Sequence, residues 1–245
     1  MRGTSRVVGI FAVLILLSPQ VSGQKLPSKD FVSGLLLINK GLELKNLWQR
    51  LERDFQNERD IVKATKIKQD AADALKKSRA AFLQAVAAFK AAVNADPTSF
   101  SAHYYLGWAF NELEQYSKAI VPLDKARQLK PRDSSIDFEL GWAYDRMGQF
   151  EKAADFFEIA ANLKPDYSEA WFELGWTNEK MKQYQKAVES YKQVINLKPD
   201  NARAYYNLAL VYLKLGNKSA AMEQQITLKT LDPNLANSLN SAINK

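Results

Sequence analysis

The sequence of 245 residues contains no cysteine and only one histidine, His103. The first absence excludes disulfides, thiolate metal sites and cysteine catalysis, and the second excludes metal clusters built from several histidines. The sequence also has no glycine-rich phosphate loop and no metal-binding motif. We therefore predict no metal and no cofactor, expect no enzymatic activity, and interpret His103 as a buried structural residue.

Glycine and proline are scarce too, with 10 and 8 residues, which argues against a loop-rich or disordered chain. The net charge of +7 is spread along the sequence, apart from short basic runs at 63–68 and 76–79. A nucleic-acid-binding protein would concentrate such charge in one stripe and interleave it with aromatic residues. We predict a solvated helical surface and no nucleic-acid partner.

Long apolar runs are rare, and the one at 7–17 is typical of a signal peptide. It follows Arg2 and Arg6, and small residues precede Gly23. At about 1.5 Å per residue, the run spans roughly half a bilayer core, so cleavage is favoured over anchoring. We predict a signal peptide at 1–23, cleavage near Gly23/Gln24, and a secreted or periplasmic protein with no stable membrane span.

The dominant positive feature is a repeat with a period of 34 residues. Leu106-Gly107-Trp108 recurs as Leu140-Gly141-Trp142 and Leu174-Gly175-Trp176, and more loosely as Leu208-Ala209-Leu210. Helical spacing on both sides of a short turn indicates two helices in each unit. Alanine and proline recur at the same period, at Ala119, Ala153, Ala187 and Ala221 and at Pro131, Pro165, Pro199 and Pro233.

These residues resemble the tetratricopeptide repeat (TPR) family, whose pattern runs from a large residue through Leu-Gly, an aromatic, Ala, an aromatic and Ala to Pro. The resemblance implies an all-α, right-handed α-solenoid of stacked helix-turn-helix hairpins. The four repeats would occupy 100–133, 134–167, 168–201 and 202–233. The second copy matches at Leu140, Gly141, Tyr144, Ala153, Phe157, Ala160 and Pro165, whereas His103, Asn178, Ala209 and Gln225 depart from the pattern in the other copies.

The flanking segments are also helical in pattern. Residues 24–63 form an N-terminal helical region, where Leu44, Trp48, Leu51 and Phe55 make an apolar seam. Two interpretations of these helices stay open, packing back on the repeats or self-association. Residues 64–99 read as a degenerate repeat or one long docking helix, and 234–245 as an amphipathic capping helix.

The resemblance further implies a concave groove lined by the first helices of the repeats. Its aromatic positions carry over to Tyr104, Trp108, Phe138, Trp142, Phe172, Trp176 and Tyr206. Its polar positions carry over to Asn111, Glu112, Asp145, Arg146, Glu179 and Lys180. The tryptophans depart from the family, which more often has a polar residue there. They are either binding surface, as Trp often is at hot spots, or ordinary core between repeats.

We therefore predict a non-catalytic protein–protein interaction module or assembly scaffold in the cell envelope. Its partner would be a peptide or protein segment bound in the aromatic groove. The alternative is a cell-wall glycan or peptidoglycan strand whose sugar rings stack on the same tryptophans. Mixed charges around the aromatic residues argue against a strongly anionic ligand.

Overall fold

The computed structural model describes residues 28–244, so the predicted signal peptide lies outside the described residues. Over that range the chain forms eleven helices and no strand, in two compact units that divide between Leu129 and Lys130. Within residues 28–244, no helix has an apolar stretch long enough to cross a bilayer. The predicted all-α fold of helix-turn-helix hairpins is confirmed.

The first unit contains four helices. They are α1 (Lys29–Asn57), α2 (Ile61–Ala95), α3 (Phe100–Glu112) and α4 (Tyr116–Leu129). Side-chain caps explain three of the starts, since Ser28, Asp60 and Ser99 accept hydrogen bonds from amides in the first turns of α1, α2 and α3. Residues 61–95 form one continuous helix, and α1 pairs with it as a long hairpin.

Close approach of α1 and α2 depends on two glycines. A Cβ atom on Gly34 would lie 2.6 Å from the ring of Phe89, and one on Gly41 would lie 2.6 Å from the ring of Phe82. The Ser78 hydroxyl also donates a hydrogen bond of 2.8 Å to the Gly41 carbonyl oxygen. The hairpin therefore places aromatic rings directly against the backbone of the facing helix.

The second unit repeats one hairpin three times. Its helices are α5 (Ser134–Arg146), α6 (Phe150–Leu163), α7 (Ser168–Lys180), α8 (Tyr184–Leu197), α9 (Ala202–Lys214), α10 (Lys218–Leu231) and α11 (Pro233–Ile243). The turns after α5 and α9 use glycine at a backbone φ of +75°, in Gly148 and Gly216, where other residues would be strained.

In the first two hairpins of the second unit, the repeated glycine lies against an aromatic ring of the facing helix. A Cβ atom on Gly141 would lie 2.8 Å from Phe157, and one on Gly175 would lie 3.0 Å from Tyr191. At the end of the unit, α11 covers the last hairpin by burying Leu239 and Ile243 with Leu228. The solvent side of α11 carries Asn and Ser, as a terminal cap requires.

Candidate functional site

Two tryptophans in the second unit lie on the predicted groove side of their helices. Trp142 of α5 and Trp176 of α7 are both half-buried. A cation one helical turn later lies over each indole: the Arg146 guanidinium carbon is 6.0 Å from the Trp142 ring centre, and the Lys180 ammonium is 4.8 Å from that of Trp176. Such pairs contribute about 0.5–1 kcal/mol at exposed sites.

The aromatic residues one turn earlier divide into core and surface. Phe138 is buried against Phe157 and Tyr167, with ring centres 5.5 and 5.0 Å apart, so it belongs to the core and does not face a ligand. Phe172 is half-buried, with its ring edge-on to that of Tyr191 at 5.6 Å. Tyr206 of α9 is half-buried beside the cluster covered by α11.

The charged positions on the same helices are also not equivalent. Asp145 is buried, which corrects its prediction as a groove residue, whereas Arg146 and Lys180 are exposed. Glu179 accepts a hydrogen bond from Lys214 at 2.8 Å and one from the Tyr191 hydroxyl at 3.4 Å. The accessible charge beside the two indoles is therefore mainly cationic.

At the start of α7, the carboxylate of Glu169 is bonded to Lys198 at 2.7 Å. Partial burial alone would raise the pKa of Glu169. The Lys198 hydrogen bond and charge, together with hydrogen bonds from Ser168 and the backbone, outweigh it and hold the pKa below its usual value. The ion pair therefore stabilises the charged form of the exposed Glu169 carboxylate.

The corresponding residues of the first unit are mostly core. Trp108 is only 2% exposed and lies edge-on to Phe82 of α2, with ring centres 5.9 Å apart. Asn111 is buried as well, and the Glu112 carboxylate is 2.6 Å from the ammonium of Lys45 on α1. Tyr104 is half-buried, edge-on to Tyr105. Trp108 and Asn111 are therefore not groove residues, since both are buried and the long N-terminal hairpin supplies the ring that packs against Trp108.

His103, the one histidine, is buried as predicted. Its Nε2 atom lies 3.1 Å from the carbonyl oxygen of Pro97, within hydrogen-bond distance. Across residues 28–244, no group of three His, Asp or Glu side chains could hold a metal ion.

Sequence reasoning missed the cations that lie over the indoles as partners of those rings. Arg146 and Lys180 were assigned to the groove by register alone, although their spacing of four residues from Trp142 and Trp176 already indicates contact along a helix. It also assigned no role to Trp171. A search of the sequence for an aromatic residue followed four residues later by a cation would have found the pairing of each indole with its cation.

Comparison with sequence models of protein families identifies the family of this chain. Sequence models of the tetratricopeptide repeat match residues 70–134, 138–193 and 202–235, and a further TPR repeat model matches 180–216. The chain belongs to the tetratricopeptide repeat family, which confirms the prediction. The match from residue 70 includes the C-terminal part of α2, where Ala85, Phe89 and Ala92 follow the pattern of a second repeat helix.

Solved structures agree on the fold. A crystal structure of MamA has 26% identity and a TM-score of 0.61, and the match covers 66% of this chain and 95% of that one. YrrB, described as a TPR protein with an unusual peptide-binding site, has 22% identity and a TM-score of 0.60 over 70% of this chain and 89% of its own. No curated protein matches the sequence. The repeats and their structural neighbours support a protein–protein interaction module.

Proposed function

We propose that the protein is a non-catalytic interaction scaffold that binds an extended peptide segment on its indole face. The indole face is the set of half-buried rings on the first helices of the second unit, Trp142, Phe172, Trp176 and Tyr206. Neighbouring packed helices lie about 8–10 Å apart, and an extended peptide advances about 3.3 Å per residue. Every third side chain of the peptide would therefore meet a new ring.

The observation that carries the proposal is the pairing of each tryptophan with a cation. Half-buried indoles offer large, rigid apolar contact area, and the exposed Lys180 adds a donor beside Trp176 for a peptide carbonyl or carboxylate. YrrB provides a precedent for a peptide-binding site on a fold of this class.

The same pairing favours a peptide over the alternative, a cell-wall glycan. A sugar ring binds tryptophan by stacking flat on the indole, and that position lies over the ring. The Lys180 ammonium lies there, 4.8 Å from the ring centre of Trp176. A glycan would have to displace this cation, whereas a peptide side chain can approach the ring edge and use the cation as a partner.

The compartment is part of the proposal. The basic and apolar composition of residues 1–17 supports export, and we infer an envelope or secreted location. Expression of the full chain with its own N-terminus, followed by N-terminal sequencing of the mature protein, tests this inference. We expect Gln24 as the first residue, and a protein that begins at Met1 would contradict export.

Binding is tested by selecting ligands from a random linear peptide library on the full chain. The dissociation constant of the selected peptides is then measured by fluorescence anisotropy. We expect Trp142→Ala and Trp176→Ala each to weaken binding by about tenfold or more, as for a hot-spot residue. Retention on insoluble peptidoglycan, measured by sedimentation, tests the glycan alternative with the same variants.

A matched control is available in α7 itself. Trp171 precedes Trp176 by five residues, so at about 100° per residue the two indoles point to different sides of the helix. For selected peptides that contain no arginine or lysine, Trp171→Ala should leave the affinity within about twofold of wild type. The proposal fails if no peptide is selected, or if the selected peptides bind the Trp142 and Trp176 variants as tightly as the wild type.

A further inference from the structure

A second candidate site lies on the other side of α7, within the second unit. A cavity of about 320 Å³ opens between α6, α7 and α8. We call it the acidic groove, and it is lined by Trp171 and Asn178 of α7 and by the carboxylates of Glu151, Asp155, Glu158 and Glu189. Its volume is at the lower end of the range typical of ligand pockets, about 300–1,000 Å³.

The cavity exists because an aromatic residue is missing from the repeat. The position of Asn178 holds Tyr144 in the preceding repeat and Tyr212 in the following one. The ring of Tyr144 stacks on Phe156 at 5.5 Å, and Tyr212 packs against the cluster that contains Val188 and Tyr191. With a short amide in place of a phenol ring, the space between two second helices stays unfilled.

A second change at the same junction enlarges the space. Val188 packs beside Tyr212 at the following junction, and the residue 34 positions earlier, in the wall of the acidic groove, is Ala154. Two positions that fill one junction with apolar volume are thus occupied by smaller side chains at the other. The groove is a specific property of one junction and does not follow from the repeat itself.

Asn178 is the polar residue that stands in the wall of the groove in place of the missing aromatic ring. It is only 3% exposed and lines the groove, yet its side-chain amide has no hydrogen bond to any residue between 28 and 244. Because the amide borders the groove, its oxygen and its N–H groups can form hydrogen bonds with a group that enters.

The charge of the groove is opposite to that of the chain. Four carboxylates and one ammonium, that of Lys186, line it, which leaves −3, whereas the whole chain carries +7. No ion pair joins any of these four carboxylates to another group within the described residues. Their negative charge is available to a cation that enters.

The aromatic wall of the groove is fixed, since Trp171 is half-buried and packs against the core of α6 and α7. The Trp171 indole N–H donates a hydrogen bond of 3.0 Å to the carbonyl oxygen of Pro165, which holds the ring in place and satisfies its one donor. Among residues 28–244, no cation lies over the ring of Trp171, in contrast to Trp142 and Trp176. The part of the indole that lines the groove is therefore available to stack with a ligand.

We propose that the acidic groove binds an arginine side chain of a partner polypeptide. The planar guanidinium stacks on an indole face, donates hydrogen bonds to carboxylates in pairs, and can donate another to the amide oxygen of Asn178. Its aliphatic stem suits the apolar part of the lining, which includes Ala154 and Leu174. A lysine has a compact charge that neither stacks nor bonds bidentately, so it should bind more weakly.

This site is separate from the indole face, so its test does not depend on the proposed function. The probe is a fluorescein-labelled Gly-Ser-Arg repeat peptide, titrated with the full chain and followed by fluorescence anisotropy at low salt. Matched peptides have lysine or glutamine in place of arginine. We expect the arginine peptide to bind about threefold or more tightly than the lysine peptide, and the glutamine peptide not to bind.

Two variants should remove this binding in different ways. Asn178→Tyr restores the ring found in the neighbouring repeats and fills the cavity, so the affinity should fall about tenfold or more while the helical content is retained. Asp155→Asn with Glu158→Gln removes two exposed charges without changing volume, and should weaken binding by about threefold or more at low salt and less at high salt. The second variant keeps the test decisive if the first does not fold.

Controls separate a specific site from general charge attraction. Glu223, on α10, occupies the place of Glu189 one repeat later and is exposed outside the groove, so Glu223→Gln should bind the arginine peptide like the wild type. Three results would overturn the proposal: no binding of the arginine peptide, equal binding of the lysine peptide, or equal losses in Glu223→Gln and in the Asp155/Glu158 variant.

Discussion

Trp108 and Trp176 occupy the same place in two repeats, two periods apart, and the structure uses them differently. Trp108 is 2% exposed and packs edge-on against Phe82 of α2, whereas Trp176 is half-buried beneath the ammonium of Lys180. The helix, the register and the side chain are the same. What differs is how much lies against the ring. Phe82 of a long helix and the surrounding core bury Trp108, whereas Trp176 has Phe150 of α6 edge-on at 6.2 Å and a cation of its own helix over its face, and stays half-buried.

The comparison separates two kinds of information. The period of the repeat determines on which side of its helix a residue lies. It does not determine whether another segment covers that side, because the covering segment has its own sequence. In the first unit the segment is α2, whose Phe82 lies between Gly41 on one side and Trp108 on another.

Replacing each of the two tryptophans by alanine should reveal the largest difference between them, in the free energy of unfolding. Trp108→Ala removes a fully buried indole, so we expect the free energy of unfolding to fall by about 3–5 kcal/mol. Trp176→Ala removes a half-exposed one and should cost about 1–2 kcal/mol, since less apolar surface is buried there. Urea unfolding followed by far-UV circular dichroism measures both values.

The two variants should also separate in binding. The Trp176 variant is expected to lose affinity for peptides selected on the indole face, and the Trp108 variant should keep that affinity at temperatures where it is folded. Trp48→Ala, on α1 and half-buried, provides a reference for removal of a partly exposed indole in the first unit. Equal stability losses for Trp108 and Trp176 would show that their environments do not differ as described.

The sequence alone was sufficient for the elements that repeat. The first helices of the three hairpins in the second unit begin at residues 134, 168 and 202, at the period of the Leu-Gly-Trp motif. Their packing follows from small residues at fixed places, since Gly141 and Gly175 each face an aromatic ring. A repeated constraint is visible in one sequence because every copy is a separate observation of it.

The sequence was insufficient where a feature occurs once. Gly34 and Gly41 make the same contacts in the α1–α2 hairpin, but no second copy reveals them as a pattern. The burial of Trp108 and Phe138 depends on rings that are distant in sequence. Asn178 was recognised as a departure from the family, yet the cavity beside it depends on Ala154 and on the second helices that enclose it.

Glycine in the two kinds of hairpin offers a finer comparison, with a smaller expected effect. A Cβ atom would lie 2.6 Å from Phe82 at Gly41 and 2.8 Å from Phe157 at Gly141, so both positions exclude a side chain. We expect Gly41→Leu and Gly141→Leu each to lower the free energy of unfolding by about 1–3 kcal/mol through overpacking. The loss is net of a gain of up to about 1 kcal/mol in helix propensity.

Leucine at exposed positions of the same hairpins isolates the contact from the propensity. Ser33 on α1 and Asn162 on α6 are both exposed, so Ser33→Leu and Asn162→Leu should change the free energy of unfolding by less than about 0.5 kcal/mol. If Gly141→Leu is destabilising and Gly41→Leu is not, the long hairpin does not depend on close approach of its helices. Equal losses at both glycines would mean that one packing device serves the repeats and the non-repeated hairpin, although only the repeats reveal it in the sequence.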